Sequence, residues 1–111
     1  MDSNERRQYF ETFTNAKLGK VKQIIQNSSD DEIGYLSELI INYKTFVTTK
    51  TEEKRFKRYQ TIISRFVKRK WSIRQLKNFF IKHSRLIVLL VVTFLSKVLE
   101  GFVCGILSQN E

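Results

Sequence analysis

Twelve lysines and arginines lie between Lys54 and Arg85 with no aspartate or glutamate among them. Their chemistry is that of fixed positive charge. Such a run repels itself unless something anionic lies against it, and phosphate polymers or acidic lipid are the usual answers. The cations best placed to meet phosphate are Lys54, Lys57, Arg58, Arg65, Lys68, Arg69, Lys70, Arg74 and Lys77. Catalysis has far less to draw on. His83 is the one imidazole and sits among Lys82, Ser84 and Arg85, where a helix-surface position is the expectation rather than a general base. Cys104 lies in the most apolar stretch, where a thiol behaves as a small hydrophobe. With no Gly-rich phosphate loop, no paired metal ligands and no nucleophile elbow, we expect no enzyme activity, no cofactor and no metal.

The charge is unevenly placed. Residues 1–50 carry seven cations and seven anions, so the whole net charge of +9 over 111 residues belongs to the second half. The absence of proline and the presence of a single cysteine exclude a proline-rich chain and a disulfide scaffold. An apolar content of 41% is too high for a disordered tail.

The elements that must position these cations read as helices nearly throughout. Asp2 with Glu5 fits a capping box, followed on one face by Phe10, Phe13, Val21, Ile24 and Ile25 to about Asn27. Ser28 or Ser29 can cap a second helix, with Asp31 and Glu32 near its positive end and a stripe of Ile33, Leu36, Ile40, Tyr43 and Val47. Thr49 with Glu52 opens a third helix over about 51–70, and Ser72 with Gln75 opens a fourth. No alternating strand pattern and no internal repeat is present. The fold class expected is all-α: a small bundle of four to five helices, with basic helices over 51–85 and a very apolar C-terminal helix over 86–108.

On a helical wheel of the third helix, Lys54, Lys57, Arg58, Arg65, Lys68 and Arg69 share an arc of roughly 120°, opposite Phe56, Tyr59, Ile63, Phe66 and Val67. Such a helix follows a duplex backbone past several phosphates. Amide side chains are sparse and phosphate contact carries no sequence information, so base-specific reading is not expected, despite a helix-turn-helix-like corner at Arg69–Ser72. Lys54-Arg55, twelve residues, then Lys68-Arg69-Lys70 also has the layout of a two-part nuclear import signal.

The stretch from Leu86 to Leu107 holds fifteen large apolar side chains in twenty-two residues, long enough to span a bilayer. Lys97 and Glu100 stand against spanning. Apolar residues there favour insertion by about 7 kcal/mol, and two central charges at about 2.5–3.5 kcal/mol each cancel most of that. Lys97 and Glu100 are spaced to pair, and Thr93, Ser96, Lys97, Glu100 and Cys104 form one narrow polar stripe. The helix can be a central core helix, a membrane-inserting or interfacial segment, or an oligomer seam through Leu86, Leu90, Phe94, Gly101 and Gly105. The core helix is preferred because the polar residues keep to one stripe. No N-terminal secretory pattern is present, so we expect a chain that is not secreted.

The stretch from about Glu32 to Leu107, and above all KRYQTIISRFVKRKWSIRQLKNFFIKHSRLIVLL, resembles a family of small basic proteins of adenovirus-like elements, the Maverick or Polinton transposons and adintoviruses. Arg69, Lys70, Ser72, Ile73, Lys77, Phe79 and Phe80 sit where that family has a basic corner and second basic helix. The family's Gly- and Pro-containing entry to the apolar tail is replaced here by Ile81 to Leu86, so the fourth and fifth helices are expected to run together. The resemblance implies a virion core or minor structural protein that contacts packaged DNA, with a virion or host-nucleus location and a membrane-active tail. Two functions follow as expectations: nucleic-acid binding through the basic face without sequence preference, or membrane-associated or tail-anchored interaction through the C-terminal helix, with a homo-oligomer open in either case.

Overall fold

The computed structural model describes the backbone of residues 3–110 and the side-chain surroundings of residues 4–98. It is all-α, and no strand occurs among the described residues. The helices are α1 (Ser3–Glu11), α2 (Leu18–Gln26), α3 (Asp30–Ile41), a single turn α4 (Tyr43–Phe46), α5 (Lys50–Phe56), α6 (Gln60–Val67), α7 (Ile73–Lys82) and α8 (Ser84–Asn110), with a 3-10 turn at Lys57–Tyr59 between α5 and α6. These are more segments than the four or five expected, and each extra break has a local cause.

Three helix starts are fixed by side chains that satisfy the orphan amides of a first turn. Ser29 and Glu32 form a reciprocal capping box on α3, Thr49 and Glu52 on α5, and Ser72 and Gln75 on α7. The expected cap at Asp2 lies outside the described residues. The first expected helix is broken between Glu11 and Leu18 because Thr12 and Thr14 turn their hydroxyls onto the carbonyls of Tyr9 and Glu11, at 2.6 and 2.8 Å, and the main chain tightens to three-residue hydrogen bonds. The apolar stripe survives the break, since Phe10, Phe13, Val21 and Ile25 are all essentially fully buried.

The expected continuous helix over 51–70 is divided by the 3-10 turn, and its wheel is corrected accordingly. A 3-10 turn advances about 120° per residue against 100° in an α-helix, so three residues add about 60° of rotation. On an ideal helix Val67 lies about 20° from Phe56 and Phe66 about 80° away. The extra rotation brings Phe66 into line with Phe56 and swings Val67 out. Phe56 and Phe66 are buried at 1% and 3% exposure, while Val67, expected in the core, is 53% exposed.

The fourth and fifth helices do not run together. His83 ends α7 with its amide on the Phe79 carbonyl at 3.0 Å, and α8 leaves at 90° to α7. The corner lets both helices bury their apolar faces: Leu76 and Phe80 on α7, and Leu86, Ile87, Leu90, Val91 and Leu95 on α8, join one core with α1 to α3. Helix α8 packs against α1, α2, α3, α4 and α7, which makes its first half the central core helix. Leu86 and Leu90, expected at a membrane or oligomer seam, are 0% and 1% exposed, and Phe94 stands edge-on to Phe10 and Phe46 at 5.6 and 5.5 Å. Leu86 and Leu90 fill the chain's own core, and Phe94 is partly buried against it. Gly101 and Gly105 lie beyond the described side chains.

The polar stripe of α8 is corrected too. Thr93 is buried with its hydroxyl on the Leu89 carbonyl at 2.7 Å, and Ser96 is exposed. Lys97 meets Glu52 of α5 at 3.0 Å and donates to the Thr48 hydroxyl at 3.0 Å; the expected pairing with Glu100 lies outside the described side chains, as does Cys104. The two side chains of this pair are only 22% and 17% exposed. Burial by itself lifts the Glu52 carboxyl, but the Thr49 amide, the Lys97 ammonium, the Thr48 amide and the Thr49 hydroxyl outweigh it and hold its pKa down to about 2.

Lys97→Leu is therefore expected to cost about 1–2 kcal/mol, between the values of exposed and fully buried ion pairs. The Glu52 contribution is complete above its unfolded pKa of about 4.5 and is lost as pH falls toward about 2. Urea midpoints should fall less between pH 5 and pH 2 for Glu52→Gln than for the unsubstituted protein. Parallel curves would contradict the pair.

Candidate nucleic-acid interface

The loop between α6 and α7 is built around the single tryptophan. Its indole Nε1–H donates to the Phe66 carbonyl at 2.9 Å, and its ring stacks on Phe66 with centroids 5.3 Å apart and planes at 22°. The Arg69 guanidinium lies over the indole, 4.6 Å from its centre. Phe79 on α7 closes the cluster at 5.0 Å from Phe66, 5.1 Å from Trp71 and 4.6 Å from His83. Because Phe66 is buried, the half-buried Trp71, Phe79 and His83 form the outward wall.

That wall lines an open groove of about 500 Å³, together with Ile62, Arg65, Arg69, Gln75, Asn78 and Lys82. A second groove of about 530 Å³ adjoins it, lined by Leu18, Lys22, Arg58, Tyr59, Arg85 and Leu86 among others, and shares Ile62, Lys82 and His83 with the first. The two make one trough across α2, the 3-10 turn, α6, α7 and the start of α8. Six cations line it, Lys22, Arg58, Arg65, Arg69, Lys82 and Arg85, and no carboxylate does.

The nine cations singled out in the sequence divide into three groups. Arg58, Arg65 and Arg69 line the trough; Arg58 also stands over the Tyr59 ring at 5.0 Å and donates to its hydroxyl at 3.0 Å. Lys54, Lys57, Lys68, Lys70 and Arg74 are exposed on α5, the 3-10 turn, the α6–α7 loop and α7. Lys77 is partly buried, its ammonium donating to the Gln26 carbonyl of α2 at 3.2 Å. The 3-10 rotation shifts Arg65, Lys68 and Arg69 by about 60° from the arc of Lys54, so the expected single basic face becomes a trough and an outer surface. None of the nine forms an ion pair among the described residues, where the pairs are Arg6–Glu38, Arg7–Glu11 and Lys97–Glu52.

The trough holds residues that the sequence did not single out. Lys82 and Arg85 belong to the carboxylate-free run and were legible there. Lys22 comes from α2, and only the packing of α2 on α7 and α8 brings it near. His83 is not on an open helix surface as expected; it is the residue at the α7–α8 corner, shared by both grooves. Burial, then the neighbouring Lys82 charge, pushes its pKa below the usual value. Both effects favour the neutral ring, which offers an aromatic surface. Among the described residues no cluster of three metal-ligating side chains occurs.

Comparison with known protein families, characterised proteins and solved structures finds no match. The trough must be read from its own chemistry.

Proposed function

We propose that this is a non-enzymatic structural protein that binds nucleic acid through its phosphate backbone without sequence preference. The kind of protein is the one implied by the resemblance to small basic core proteins of adenovirus-like elements. The observation that supports the reading is a trough lined by six cations, drawn from α2, the 3-10 turn, α6, the α6–α7 loop, α7 and α8, and by no carboxylate. Like charges gathered by a fold raise its energy, and a polyanion in the trough relieves that repulsion while its own condensed counterions are released. Contact with about five phosphates gives a log-log salt slope of roughly −4 to −5. Fluorescence anisotropy across a salt series should return that slope with little difference between unrelated sequences. Salt-insensitive binding would end the reading.

Membrane association is the second reading, favoured by one observation. Among the described residues no single helix is long and apolar enough to cross a bilayer, but Ile73–Lys82 and Ser84–Val98 together have the length and composition of a bent span. Against it, Leu86, Ile87, Leu90 and Val91 are at most 1% exposed, so insertion of this segment requires the core to open. Flotation with anionic liposomes, run beside the DNA titration, separates the two.

A further inference from the structure

We propose that the groove between α6 and α7 receives an unpaired nucleotide, so that the nucleic acid bound is single-stranded, with a base on the Trp71, Phe79 and His83 wall and its flanking phosphates on Arg65, Arg69 and Lys82. The inference rests on the nucleic-acid reading above and names the form of the ligand.

A duplex keeps its bases stacked inside and offers a groove like this one only phosphate. Cations alone would serve it. The aromatic wall has no use in such contact, yet three rings stand half-exposed where three cations converge. Single strands are held by that combination, a positive groove that follows the backbone and flat side chains on which bases stack. The wall is also prepared in advance. The hydrogen bond from Trp71 to the Phe66 carbonyl and the stack on the buried Phe66 ring fix the indole before any ligand arrives, which lowers the entropy lost on binding. The Arg69 guanidinium over the indole adds a flat cationic plane of the kind on which bases also stack.

Gln75 and Asn78 complete the groove. They lie three residues apart on α7 and so share a face, and both are exposed. Each amide offers a donor and an acceptor to the edge of an unpaired base. In the Ser72 capping box the Gln75 carbonyl oxygen already accepts the Ser72 amide at 3.0 Å, which leaves its NH₂ group for the ligand. The volume of about 500 Å³ lies within the range usual for small-ligand sites.

Trp71 is the sole tryptophan, so its fluorescence reports on this groove alone. The full chain is titrated with oligo-dT, oligo-U and a DNA duplex of equal phosphate number, following anisotropy of the labelled strand for binding and tryptophan emission for stacking. The expected result is quenching by the single strands and none by the duplex at equal saturation, the stronger of dT and U telling DNA from RNA. Trp71→Leu should weaken single-strand binding about 5- to 150-fold, a larger loss than it causes in duplex binding. Should that variant fail to fold, the emission of the unsubstituted protein decides alone. Single strands that bind without quenching, or a duplex that quenches equally, overturn the single-strand assignment and leave phosphate binding intact. Failure of all three ligands to bind removes both readings.

Discussion

Phe80→Ala is expected to destabilise the fold by about 3–5 kcal/mol, the range for removing a buried phenylalanine ring. That is a large part of the roughly 5–15 kcal/mol that holds a domain together. Phe80 is 0% exposed, with Phe66 and Phe79 each 5.9 Å from it between ring centres. It sits on α7, which packs against α2, α3 and α8 at once, so few neighbours can move in to close the void. The same ring backs the aromatic wall of the trough. Urea unfolding followed by circular dichroism measures the loss, and an unchanged midpoint would mean that α7 is not seated as described.

Replacing Arg58, Arg65, Arg69 and Lys82 together with glutamine has the largest expected effect on binding. On a DNA duplex each phosphate contact removed takes about 0.9 from the slope, so a value of about −5 should fall to about −1.5, and on a single strand each takes about 0.7. Stability should change by no more than about 1 kcal/mol, because all four side chains are exposed and none has a carboxylate partner among the described residues. Loss of the two cation–π contacts, on Tyr59 and Trp71, is offset by relief of mutual repulsion in the trough. A slope that stays near −5 would place the phosphate contacts on the outer cations Lys54, Lys57, Lys68, Lys70 and Arg74 instead.

Much of the fold was legible because it is set within four residues. The caps at Ser29, Thr49 and Ser72 need only a hydroxyl and a partner three positions on, and all three form. The breaks were less so. Thr12 and Thr14 look neutral in a helical stripe until their hydroxyls take carbonyls, and a 3-10 turn leaves no residue signature at Lys57–Tyr59. Partners distant in sequence were hidden altogether. Nothing near Lys97 in the sequence points to Glu52, and Lys22 reaches Arg58 and Arg85 only through the packing of α2. The cation run itself was plain; its division into a trough and an outer face depends on one turn of tighter helix.

The place of α8 at the centre of the bundle has a consequence for how the chain is made. Residues of α1 leave the ribosome about 80 positions ahead of the α8 segment that covers them, and synthesis proceeds at about 5–20 residues per second. For roughly 4–16 s, then, Phe10 and Phe13 of the nascent polypeptide lack the cover that α8 gives them. The core is complete only once α8 has emerged, so apolar surface of α1 stays open over that interval.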